Sequence, residues 1–398
     1  MSAPAPPRAP RVTAVPRADA RVRPLELFFD LVFVLSLTQA TVLMADEPTW
    51  RGLAKGVLVI GVLWWSWVGY SWLTSAVNPE EGAVRLVVFG AMAAFVVAAL
   101  CVPSAFDDAA FIFAGAYAVV RIAHIGLYAL ASRDDPGLRS SVIGLAGSTA
   151  VGVGLLTAAG FADEELQGAL WATALLLDAA GPYFFGAEDW KLVPGHFAER
   201  HGLIIIVALG ESIVAIGAGA EGLEVDAGIV VAAALGMAVA AALWWLYFDV
   251  VALVAERRLA ATPPGGVQNA MARDSYSYLH FPMIAGIVLV ALGLKKTLGH
   301  TDDPLELVPA TAMLGGAALY LVAHVAFRLR NVGSFNPHRM GVAVLLVALI
   351  PLAVEVDAVV ALAGLAAILA ALIAYESLRF AEARAGVRRE LHHEPVPS

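Results

Sequence analysis

Residues 25–44 read Leu-Glu-Leu-Phe-Phe-Asp-Leu-Val-Phe-Val-Leu-Ser-Leu-Thr-Gln-Ala-Thr-Val-Leu-Met. The stretch is long enough to cross a bilayer, because a helix needs roughly 20 mostly apolar residues to span the hydrocarbon. It also carries Glu26 and Asp30, four residues apart on one helix face. An ionisable side chain at the centre of a spanning helix costs about 2.5–3.5 kcal/mol on insertion scales, so it faces protein or water and needs a partner or a task. Stretches of comparable length recur further along the chain, at 52–76, 83–102, 109–131, 140–160, 167–186, 201–220, 227–254, 277–297, 306–328, 340–355 and 357–380. The expected fold class is all-α: a polytopic membrane protein of about 12 transmembrane helices.

Composition agrees. The chain has 398 residues, 60% of them hydrophobic and 15% charged, with a mean hydropathy of +0.77. A soluble domain carries about 25% charged residues. The net charge of −9 is segregated rather than spread. With the N-terminus inside, 20 of the 25 basic residues fall on the inner side, while the outer loops are acidic, as at Asp107-Asp108 and Glu221 to Asp226. That alternation follows the positive-inside rule and predicts both termini in the cytoplasm. Heavy use of Ala, and of Arg over Lys, suits a bacterial plasma membrane. No basic domain supports nucleic-acid binding. The single cysteine, Cys101, excludes an intrachain disulfide and a cysteine-based metal site. No His-Glu-x-x-His, Gly-x-Ser-x-Gly or Walker pattern is present, so neither an enzyme nor a bound cofactor is expected.

Internal order repeats. Leu63-Trp64-Trp65 is matched 180 residues on by Leu243-Trp244-Trp245, and Ala123-His124 is matched 200 residues on by Ala323-His324. The predicted organisation is therefore a disordered cytoplasmic tail over 1–24, a first six-helix repeat over 25–186 and a linker over 187–200. A second repeat over 201–380 and a tail over 381–398 follow. The longer shift in the second half is taken up by a loop at 255–275. A six-helix unit crosses an even number of times, so the two repeats are parallel, and sites in such folds lie at the repeat interface.

The buried polar residues are the candidates for function. On the first span they are Glu26 and Asp30. On the fourth, Tyr117, Arg121, His124 and Tyr128 form one polar stripe at helical spacing. Arg121 needs an acid, and Asp30, Asp178 and Glu211 are available. Such a pair either locks helices together or belongs to a proton or ion pathway, and both readings stand. Asp178 lies near Gly181-Pro182, where proline frees backbone carbonyls. Glu211, the deepest acid, lies three turns from Arg200 on nearly the same face. His201, Asp249, His280 and His324 complete the set. The tryptophans at 64, 65, 67 and 72 read as packing and interfacial anchoring rather than as a cation cage.

Two motifs carry a family resemblance. Pro24-Leu25-Glu26-Leu27-Phe28-Phe29-Asp30-Leu31-Val32-Phe33-Val34 resembles the opening signature of the bacterial low temperature requirement A membrane proteins. Glu199-Arg200-His201-Gly202-Leu203, running on to Leu209-Gly210-Glu211-Ser212-Ile213, resembles their second. The family name records growth in the cold, not a mechanism. Phe28-Phe29-Asp30, with an arginine upstream, is also similar to the Phe-Ser-Asp signature of two-repeat potassium channels, with Phe29 in place of serine and no equivalent in the second half. Two functional expectations follow. One is a secondary transporter whose buried acids carry protons or a cation, and the other is a cation channel lined by the first and seventh helices. A lipid-acting enzyme or a scaffold has less to recommend it. The expected partners are the lipid bilayer and a small solute or ion, with a homodimer as a further option and no nucleic acid.

Overall fold

The structure, a computed structural model, describes residues 21–184 and 188–382, so most of both expected tails lies outside the described residues. Every regular element among them is helical. The first half holds α1 (Pro24–Asp46), α2 (Trp50–Ala76), α3 (Gly82–Cys101), α4 (Ala110–Ala131), α5 (Pro136–Ala159) and α6 (Glu164–Phe184). The second holds α7 (Pro194–Gly219), α8 (Ala227–Phe248), α9 (Val251–Ala261), α10 (Gly266–Ala272), α11 (His280–Gly299), α12 (Leu307–Val332), α13 (Pro337–Ala348), α14 (Ile350–Ala353) and α15 (Ala358–Arg379). The chain is a polytopic all-α membrane protein.

Local chemistry sets many of the helix starts. Thr49, Asp135, Asp226 and Asn336 each accept backbone N–H groups at the first turn of α2, α5, α8 and α13. Pro136 and Pro337 follow two of these caps at the first helical position, where a missing N–H costs nothing. Gly333 adopts φ 71° to end α12, the left-handed conformation that glycine enters without strain.

Ten helices among the described residues are long and apolar enough to cross a membrane. α6, with Glu164, Glu165, Gln167 and Asp178, is not one of the ten, and neither is α13, whose 12 residues stop short of α14 and Pro351. Packing nonetheless runs α6 through the bundle like its neighbours. Along the contact of α1 with α7, Glu26 meets His196, Asp30 meets Arg200 and Thr38 meets Glu211. Numbers rise together, so these helices are parallel, and parallel neighbours need an even number of crossings from one to the next.

Two segments differ from expectation. The predicted loop at 255–275 is helical apart from a turn at 262–265, because α9 is rich in strong helix formers and turns Ala255 and Leu259 into the core. A π-helical segment, Arg273–Tyr278, joins α10 to α11. The polar residues upstream of 201 are the first turns of α7, which begins at Pro194.

α11 and α12 form the centre. They cross at Gly286 and Gly316, where a methyl group on Gly286 would lie 2.6 Å from the Gly316 carbonyl oxygen. Only glycine permits that approach. In the first half α1 packs on α2 and α3, α3 on α4, α4 on α5, and α2 on α6. In the second α7 packs on α8 and α11, α11 on α12, α12 on α13, and α8 on α15. Exposed apolar side chains such as Leu31, Leu86, Ile122, Ile143 and Leu176 cover the outside. In water that surface would be a liability, but in lipid it is the solvent-matched face.

Candidate functional site

The α1–α7 contact gathers the two motifs into one buried seam. Glu26, Asp30, Arg200, His201 and Glu211 are each 2% exposed or less. Arg200 reaches Asp30 Oδ1 at 2.5 Å through one guanidinium nitrogen. Through the other it reaches Thr74 Oγ1 at 2.9 Å and Glu26 Oε1 at 3.4 Å. Glu26 Oε2 lies 2.9 Å from His196 Nε2 and also accepts the Arg23 backbone N–H at 2.9 Å, so one carboxylate both caps α1 and joins the seam. Trp67 Nε1 donates to Asp30 Oδ1 at 2.7 Å, and its ring lies under the Arg200 guanidinium at 5.2 Å. Further along, Thr38 Oγ1 donates to Glu211 Oε2 at 2.5 Å.

The seam thus holds three carboxylates and one guanidinium. Two acids share that cation, and a third rests on a threonine hydroxyl. Such a set is adjustable, because each acid can take a proton or a cation while Arg200 keeps a partner. His201 sits one residue on. Its Nδ1 faces the Phe197 carbonyl at 2.8 Å and its ring packs on Trp67 and His280.

A second cluster lies in the first half. Arg121 pairs with Asp178 at 2.9 Å, so of the three expected acids α6 supplies the partner. Thr149 Oγ1 accepts from Arg121 at 2.6 Å and donates to Asp178 at 3.2 Å, and Tyr117 donates to the other Asp178 oxygen at 3.2 Å. The pair ties α4, α5 and α6 together. All four residues of the α4 stripe are buried. His124 and Tyr128 line a cavity of about 50 Å³ between α2, α4 and the π-helical segment that precedes α11.

A third cluster lies in the second half, and the sequence points to only part of it. His324 is among the expected residues, whereas Arg339 and Glu376 are not. Arg339 makes two parallel bonds to Glu376, both 2.9 Å. Its third nitrogen donates to His324 Nδ1 at 2.9 Å and to the Leu246 carbonyl at 3.2 Å. Because arginine can only donate, His324 Nδ1 accepts, and its proton is on Nε2. The cluster borders a cavity of about 230 Å³ walled by Val251, Val254 and Phe327. Asp249 lies half-buried at the break between α8 and α9. His280 bonds the Tyr247 hydroxyl at 2.8 Å and the Ser275 carbonyl at 3.0 Å, a structural role.

The tryptophans anchor α2 with their N–H groups as well as their rings. Trp64 and Trp72 donate to the carbonyl and hydroxyl of Ser277, as Trp67 does to Asp30. His196, Thr74 and Thr149 join these clusters without a signal in the sequence. Threonines are too common in spans to mark a contact, and His196 lies in a segment whose polarity reads as linker. No group of three or more His, Cys, Asp or Glu among the described residues could hold a metal ion.

Comparison with known proteins agrees with the motifs. The family model described as bacterial low temperature requirement A protein matches residues 21–374. An uncharacterized protein of Rhizobium meliloti (strain 1021) is 30% identical over 309 residues, covering 74% of this chain and 74% of that protein. No solved structure matches.

Proposed function

The chain belongs to the bacterial low temperature requirement A family, and on that premise we propose that it is a secondary transporter whose α1–α7 seam carries protons or a cation. The observation that supports this reading is the stacking of Glu26, Asp30 and Glu211 along two parallel helices, with Arg200 shared by the first two and Thr38 holding the third. A proton or cation arriving at Asp30 competes with Arg200, which then turns to Glu26. That exchange of partners couples occupancy to the fit between the halves.

The reading includes two parallel repeats that rock about the seam. The matching order of helix pairings in the two halves supports it. So does the placement of an arginine-bound acid on the last helix of each, Asp178 and Glu376, 198 residues apart. In this reading both termini face the cytoplasm of a bacterial cell, the solute is small, and no covalent step takes place.

Flux in proteoliposomes tests the proposal. With pH and voltage dyes followed together, solute-dependent proton movement is expected in the wild type and its loss in Glu211→Gln. Normal coupled uptake in that variant would sink the role. A cation channel is the second reading, favoured by the ties from Asp30 to Trp67 and Arg200 that pin α1 beside α7. It predicts potassium-driven voltage without stoichiometric proton movement.

A further inference from the structure

The small cavity between α2, α4 and the π-helical segment has a different chemistry from the seam. Its wall includes two guanidiniums, Arg121 and Arg273, and no carboxylate among the described residues that line it. Their acids, Asp178 and Asp274, bind them away from the cavity. Arg330 also pairs with Asp274, so three guanidiniums share two carboxylates here. The surplus is positive, opposite to that of the seam.

The polar atoms around the cavity are mostly donors. Arg121 Nε and the Tyr128 hydroxyl are fully buried and meet no acceptor among the described residues. His124, 1% exposed, has the Gly69 backbone beside its ring, makes no well-formed hydrogen bond through either ring nitrogen, and in any tautomer offers one N–H. A buried donor without an acceptor costs about 1–3 kcal/mol. Two such donors around one small space, with the His124 imidazole beside them, point to an acceptor that belongs there.

Trp65, Trp72 and Trp190 complete the wall. Aromatic faces alone would suit a cation, but two guanidiniums beside them would repel one. Size narrows the choice further. A water-sized probe occupies about 10–15 Å³, so a cavity of about 50 Å³ admits a monatomic anion and excludes most organic solutes.

We propose that the cavity bounded by Arg121, His124 and Tyr128 is a binding site for a small monovalent anion of halide size. The anion would accept from Arg121 Nε–H, the Tyr128 hydroxyl and a His124 N–H, and would balance the local surplus of guanidinium. The site stands apart from the α1–α7 seam and does not rest on the transport reading.

The test uses the full chain in nanodiscs, in a gluconate buffer, titrated with bromide. Three tryptophans line the cavity, so bound bromide quenches their fluorescence saturably. Tyr128→Phe keeps the ring that packs on Trp190 and His124, so the fold is retained and the loss reads the hydroxyl alone. Bromide affinity is expected to fall about tenfold or more in that variant and to vanish in His124→Leu. Anomalous bromide density should lie in the cavity. Linear quenching without saturation, or saturable quenching unchanged in Tyr128→Phe, would overturn the proposal. So would density showing water only.

Discussion

The seam between α1 and α7 and the Arg339–Glu376 cluster are both buried and both built around one arginine, yet their stoichiometry differs. In the second half one guanidinium meets one carboxylate in a two-bond fork, and Asn336 and His324 satisfy what remains. In the seam one guanidinium is divided between Asp30 and Glu26 at unequal distances, 2.5 and 3.4 Å. A matched pair is a fastener, because removing either member strands a buried charge. An overcommitted arginine is a switch, because an acid can change its charge without leaving the cation alone. In the proposed transport mechanism the arrangement around Arg339 is architecture, and that around Arg200 is the working part.

The largest effect tests the fastener. Arg339→Ala or Glu376→Ala should destabilise the protein by about 3–5 kcal/mol, as breaking a buried pair does. Replacing both with apolar residues of similar volume should recover most of that loss. Thermal unfolding in detergent measures all three. Failure of the double variant to recover would mean the cluster does more than fasten α13 to α15. The intermediate effect tests the switch. Asp30→Asn leaves Arg200 with Glu26, so the loss of stability should stay below about 2 kcal/mol, while coupled flux should fall to background. A stability loss as large as that of Glu376→Ala would erase the distinction.

The smallest effect is a control at the membrane edge. Asp135 caps α5 and pairs with Lys191 at 2.8 Å, with both side chains a third exposed. The Lys191 ammonium, and then the Leu138 backbone N–H, hold its carboxyl below the usual aspartate range. A carboxyl depressed in the folded state stabilises above its unfolded value, near pH 3.9. That contribution is lost as pH falls toward the folded value. For a solvent-screened pair it is about 0.5 kcal/mol or less. Asp135→Asn should flatten the decline of the unfolding midpoint below about pH 4 and leave flux unchanged.

Much of the site is legible in the sequence. Asp30, Arg121, Asp178 and Glu211 stand out because a charge within an apolar run is costly wherever the run packs. Their partners are not legible there. Asp30 and Arg200 are 170 residues apart, and Arg121 has three plausible acids. Arg339 and Glu376 are hidden for a related reason. Each lies near the end of an apolar stretch, where a charge is ordinarily solvated, and only the packing of α13 against α15, α12 and α8 buries them. The helical course of residues 255–275 is masked because charged residues there resemble a loop, although their helix propensity is high.

Solvent, element type and the run of spans are properties of the sequence, since all three follow from how much apolar length each stretch presents to lipid. Which charges meet, and with what stoichiometry, belongs to the tertiary structure. Pairing depends on where distant helices touch, and burial cost marks a charge without naming its partner.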